Sequence, residues 1–194
     1  MGEIIASIRH GLAGLLRFSG RDTRKQFWPY AIFVFLAASL LSYLVVLPEL
    51  ARMMGRMLRI AAEQGDRPLE PHEIEPLLGE VMPNFDFFIV TSVIINIVAM
   101  MLLAAAVVRR LHDCDRRGLW GLVPLPSFAL GLALAPMALE IVRHPVTPDM
   151  NMMMWPMLNS VLTWGLFIFL IVLLAREGTK GPNRFGPEPA EIQA

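Results

Sequence analysis

The chain has 194 residues, 17 Lys and Arg against 17 Asp and Glu for a formal net charge of zero, and 55% hydrophobic but only 18% charged residues. A soluble domain of this length carries about a quarter charged residues, so the shortfall, with the long uncharged stretches it leaves, excludes an ordinary soluble globule. Zero net charge argues against nucleic acid as a partner, and one cysteine, Cys114, excludes a disulfide framework or a cysteine-rich zinc site.

The first segment, residues 1–17, places Ile4, Ile5, Ile8, Leu12, Leu15 and Leu16 at helical spacing, with Arg9 and His10 off that stripe. This predicts an amphipathic helix lying on the membrane surface, with packing on the protein's own loops as the equal alternative. Arg9 interrupts the apolar run, so the segment reads poorly as a signal peptide.

Four stretches free of Asp, Glu, Lys and Arg follow, about 27–48, 87–108, 119–139 and 150–175. Each is long enough to cross a bilayer as a helix, which takes about 17–25 residues. The third holds Pro124, Pro126 and Pro136 and is expected to be interrupted or partly re-entrant. Between the first two lies a long outer loop, residues 49–86. Leu50, Met53, Met54, Met57 and Leu58 keep helical spacing there, whereas the acidic stretch from Gly65 to Pro83 holds four prolines and predicts irregular structure.

Charge orients the spans. Twelve basic residues lie in 1–26, 109–118 and the tail 176–194, against five on the other side, where ten acids also lie. Basic flanks stay in the cytoplasm, so both termini are expected inside, with an even number of spans between them. The expected fold is all-α: a four-helix transmembrane bundle, one membrane domain over 1–194, with an N-terminal amphipathic surface helix.

Three polar motifs flank the spans on the cytoplasmic side. The first runs from Phe18 to Trp28 and carries Arg21, Arg24 and Lys25; Thr23 and Gln26 match a capping box. The second, Arg109 to Gly118, carries Arg109, Arg110, His112, Asp113, Asp115, Arg116 and Arg117. Arg109 and Asp113 are four apart, the spacing of an ion pair on one helix face. His112, Cys114 and Asp115 lack the i, i+4 spacing of helical metal ligands, so an ion network is preferred and no metal, cofactor or catalytic residue is assigned. The third runs from Gly178 to Pro189 and carries Asn183 and Arg184; Gly178 is expected to close the last helix in the left-handed conformation. Its Gly, Thr and Lys lack P-loop spacing, and Pro182 removes an N–H that such a loop uses.

Together the motifs resemble a family of bacterial inner-membrane proteins of unassigned activity, catalogued as domain of unknown function 805. Phe18, Gly20, Arg21, Arg24, Lys25, Phe27 and Trp28 match its first motif. Arg109 to Asp113, then Asp115, Arg116 and Trp120, match its second. Gly178, Thr179, Gly181, Asn183, Arg184, Phe185, Gly186 and Pro187 match its third. The resemblance implies the compartment and no reaction; the count of four spans rests on hydropathy.

The interior of the spans carries no ionisable residue; Asn96 is expected to face another helix near Asn159 or Thr163. The expected function is therefore non-enzymatic: the cytoplasmic basic and His–Asp cluster binds anionic phospholipid or a partner protein, with a second copy of the chain as another candidate partner. A small transporter or channel subunit is the alternative. A membrane enzyme acting on a phosphate-bearing lipid, with His112 and Asp113 as acid–base groups, is a third reading.

Overall fold

The computed structural model describes residues 1–65, 67, 70–81, 85–143 and 150–190. Among these residues six α-helices occur in chain order: α1 (Gly2–Ala13), α2 (Arg24–Gln64), α3 (Pro71–Val81), α4 (Phe85–Asp113), α5 (Leu125–Arg143) and α6 (Met150–Ala175). A 3₁₀ turn, Gly118–Leu122, precedes α5, and no strand is present among the described residues. Four of the helices, α2, α4, α5 and α6, are long and apolar enough to cross a membrane. They pack as two antiparallel pairs, α2 with α4 and α5 with α6. The protein is an all-α integral membrane protein.

The capping box starts α2 as the sequence predicts. Gln26 N–H donates to Thr23 Oγ1 at 3.3 Å, and Thr23 N–H donates to Gln26 Oε1 at 2.8 Å. With 41 residues α2 is about 60 Å long, roughly twice the hydrocarbon thickness of a bilayer. It continues through Pro48 into a projection where Glu49 pairs with Arg52 (3.1 Å) and Arg56 (3.2 Å). The irregular structure expected between Gly65 and Pro83 gives way to α3. Pro71 occupies its first position, where a helix needs no N–H, and Glu73 reaches back to the Glu70 N–H at 3.1 Å. Glu80 pairs with Arg59 and ties α3 to the projecting half of α2. Pro68 and Pro83 lie outside the described residues.

The third apolar stretch is a turn followed by a helix. Pro124 and Pro126 stand at the start of α5, where their missing N–H groups cost nothing, and Ser127 Oγ donates to Pro124 O at 2.9 Å. Only Pro136 falls inside.

The tightly packed core lies at one end of the bundle. Phe27, Tyr30 and Val34 of α2, Ala106 and Leu111 of α4, and Leu170, Leu173 and Leu174 of α6 bury one another there. Elsewhere large apolar side chains face outward, among them Phe35, Val161 and Trp164 at 66%, 72% and 69% exposure. Such a surface is stable only against lipid.

The first helix packs on the protein itself through one face and leaves the apolar other face exposed. Ser7, Gly11 and Gly14 turn inward, and Ser7 Oγ donates to Gln26 O at 2.6 Å. At Gly11 a Cβ would come within 3.0 Å of three Tyr30 ring carbons, so only glycine lets α1 lie this close to α2. Ile4, Ile5, Leu12 and Leu16 remain exposed on the other face.

Candidate functional site

All three polar motifs meet at the core end of the bundle, because the starts of α2 and α5 and the ends of α4 and α6 lie there. Two buried carboxylates organise the junction. Asp22, 1% exposed, accepts from Arg109 Nε at 2.8 Å and meets His10 Nε2 of α1 at 3.0 Å. Asp113, 3% exposed, accepts from Arg21 Nη2 (3.0 Å) and Nε (3.2 Å) and pairs with Arg110. A buried carboxylate needs such charged partners, since its desolvation is otherwise uncompensated.

Most of the other guanidinium donors go to main-chain carbonyls, while Arg109 Nη2 is buried without a partner. Arg109 Nη1 reaches Gly14 O (2.7 Å) and Arg17 O (2.6 Å), binding α4 to the turn that closes α1. Arg110 Nε reaches Leu174 O at 2.8 Å, with further bonds to Asp22 O and Arg176 O, binding α4 to the end of α6. Arg21 reaches Thr179 O at 2.6 Å and Gly181 O at 2.7 Å, binding the C-terminal loop to the first motif. Arginine suits this role because its planar fork serves several acceptors at once.

Two local expectations are corrected. The i, i+4 pair of Arg109 with Asp113 does not form. Arg109 turns towards α1 and Asp22, and Asp113 takes Arg110, three residues away, instead. Nor does Gly178 adopt a left-handed conformation. Its lack of a side chain leaves room for the Asp113 carboxylate, against which a Cβ would come within 3.0 Å. The left-handed cap belongs to α4, where Asp115 has φ 53°. There Arg116 N–H bonds Leu111 O (2.9 Å) and Asp115 N–H bonds His112 O (3.0 Å), the paired closure that usually carries glycine.

The C-terminal loop folds back on this cap. Asn183 Nδ2 donates to His112 O and to Thr179 Oγ1, both at 2.9 Å, and Asn183 Oδ1 accepts from Phe185 N–H at 2.9 Å. The Phe185 ring stacks on His112 with centroids 3.9 Å apart. Arg184 pairs with Asp115 at 3.0 Å, and its guanidinium carbon stands 4.8 Å from the Phe185 ring centre. Trp120 lies apart from the network, 6.0 Å from Phe169 of α6. Cys114 is half-buried, with Sγ 3.7 Å from Leu173 O, and burial pushes its thiol pKa up.

Of the residues singled out in the sequence, Arg21, Arg109, Arg110, Asp113 and Asn183 thus lie in one network. Asp115 and Arg184 form its exposed edge, and His112 joins it through Phe185 and through Nδ1, 3.2 Å from Gly20 O. Arg116 and Arg117 point to solvent. Arg24 and Lys25 stand beside the network on a cavity of about 480 Å³ bounded by α1, the start of α2 and the C-terminal loop. Asp22 and His10 were missed by sequence reasoning; the signal was Asp22, the only acid in a run holding Arg17, Arg21, Arg24 and Lys25.

Residues 15–187 match the family model described as protein of unknown function (DUF805). The chain belongs to this family. The matched span begins just before the first motif and ends at the third, so it takes in every member of the network except His10 and Gly14. No curated protein and no solved structure matches the chain.

Proposed function

We propose that the protein is a non-enzymatic membrane protein of the bacterial inner membrane that binds the phosphate of phospholipid head groups at its cytoplasmic face. The observation that carries this reading is the cavity beside the ion network, which presents Arg24, Lys25 and Lys180 on its wall. Lysine and arginine near a membrane surface attract phosphate-bearing head groups. The network itself supports a structural role: Arg21, Arg110 and Asp113 are consumed by one another and by main-chain carbonyls. His112 does not line the cavity that Asp113 borders, which weighs against the two acting as an acid–base pair on one substrate.

The cytoplasmic assignment rests on the split of twelve basic residues against five. A reporter fused after Ala194 is expected to be active only in its cytoplasmic form, and one inserted after Gly65 only in its external form; the reverse pattern rejects the orientation.

Lipid binding is tested by native mass spectrometry of the purified protein. Replacing Arg24, Lys25 and Lys180 together by Gln should remove co-purifying phospholipid. Retention equal to wild type rejects the reading.

A further inference from the structure

We infer that the cavity between α1, α2 and the C-terminal loop selects a zwitterionic head group, one that carries a primary ammonium as well as a phosphate. This rests on the reading that a lipid phosphate enters the cavity, and it adds which lipid class is held.

The charges on the wall are mixed. Arg21, Arg24, Lys25, Arg110 and Lys180 face Glu3, Asp113, Glu177 and Glu188. Most are already engaged. Arg24 pairs with Glu177 at 3.0 Å, Glu188 Oε2 accepts from Gly181 N–H at 2.8 Å, and Arg21, Arg110 and Asp113 satisfy one another. Lys25 is engaged as well, which leaves Glu3 and Lys180. Both are exposed, and neither has an ion pair or hydrogen-bond partner among the described residues. One cavity therefore offers one free carboxylate and one free ammonium.

A plain anion would satisfy Lys180 and meet the uncompensated charge of Glu3. A head group with both charges satisfies each: its phosphate accepts from Lys180 and its ammonium donates to Glu3. Charge-assisted bonds of this kind are stronger than neutral ones. A quaternary amine has no N–H to donate, so an ethanolamine phosphate fits better than a choline phosphate.

The surroundings favour a lipid over a soluble phosphate ester. Ile4 lines the cavity and also belongs to the exposed apolar face of α1, and Pro29 of α2 adds a second apolar wall. The mouth thus opens where a helix on the membrane surface meets a membrane-crossing helix, at head-group depth.

The test is titration of the delipidated full-length protein in detergent with phosphatidylethanolamine, phosphatidylglycerol, phosphatidylcholine and soluble glycerophosphoethanolamine, read by native mass spectrometry. Phosphatidylethanolamine should bind about tenfold tighter than the other two lipids, the worth of one charge-assisted bond. Glu3→Gln should remove that preference, weakening phosphatidylethanolamine binding while phosphatidylglycerol binding holds or tightens as the opposing carboxylate is lost, whereas Lys180→Gln should weaken both. Equal or tighter binding of phosphatidylglycerol, or a Glu3→Gln variant that keeps the preference, overturns the selectivity while the phosphate reading stands. Lipid binding that Lys180→Gln leaves untouched overturns both. Glycerophosphoethanolamine binding as tightly as the lipid would support the head-group chemistry and reject the bilayer as its source. Both substituted residues are exposed, and circular dichroism of each variant confirms the helical fold.

Discussion

Gly178 lies so close over Asp113 that a Cβ at residue 178 would stand within 3.0 Å of three atoms of its carboxyl group. The main chain at this point also bonds the acid's own residue, with Thr179 N–H donating to Asp113 O at 2.9 Å. At this point the C-terminal loop is seated on α4 by its main chain. Gly178→Ala should displace either the loop or the carboxylate that Arg21 and Arg110 share. The expected cost is about 1–3 kcal/mol, as for other overpacked sites. Thermal melting in detergent measures it, and an unchanged midpoint would contradict the close approach.

Asp22 and Arg109 form the other buried pair, with side chains 2% and 1% exposed. Removing one partner leaves a buried charge without its counter-ion, which typically costs about 3–5 kcal/mol. Asp22→Asn should therefore be severely destabilising although its shape is nearly unchanged. Arg109→Met should also destabilise, since the carbonyls of Gly14 and Arg17 lose their donor. The double variant should be less damaging than the sum of the two, because no lone charge remains. Strict additivity would mean that the pair does not couple.

How the polar motifs meet was readable from the sequence because each flanks an apolar span on the same side, and an even number of spans brings them back together. Which side chains pair was not. Arg109 and Arg110 are neighbours about 100° apart on α4, so one faces α1 and the other α6. Only the positions of those helices decide that Asp113 takes Arg110. The role of Gly178 was hidden for the same reason: its constraint comes from a carboxylate 65 residues earlier in the chain, and local sequence shows only a glycine after a helix. The helix over Pro71–Val81 was misjudged because Pro71 stands in its first turn, where proline costs nothing, and Pro76 is carried inside it.

The Cys114 thiol gives a pH-dependent handle outside the apolar spans. Burial is the main cause of its raised pKa, opposed by the Arg110 guanidinium. With the folded pKa above the unfolded one, the stability this group contributes is present below about pH 8.5 and is lost as pH rises through the folded value. Alkylation by iodoacetamide at pH 7.5 should accordingly be slower in the folded protein than after denaturation, and the folded rate should keep rising well above pH 8.5. A folded rate equal to that of the denatured chain would show the thiol to be unperturbed.

Asn96 and Asn159 do not face each other across the bundle. Asn96, expected against α6, is exposed and bonds its own helix, its Nδ2 donating to Ser92 O at 2.8 Å. An amide one turn from a free carbonyl lone pair needs no second helix, which is why facing lipid is tolerated. Asn159 is the buried one, at 9% exposure, and it packs α6 against Gly131 of α5, where a Cβ would stand 3.0 Å from Nδ2. Asn96→Leu should therefore change stability by no more than about 0.5 kcal/mol, the range of surface substitutions. Gly131→Leu should force α5 and α6 apart at a cost of about 1–3 kcal/mol. Thermal melting of both variants in the same detergent decides the assignment: a large loss from Asn96→Leu with a neutral Gly131→Leu would mean that Asn96, not Asn159, packs the bundle.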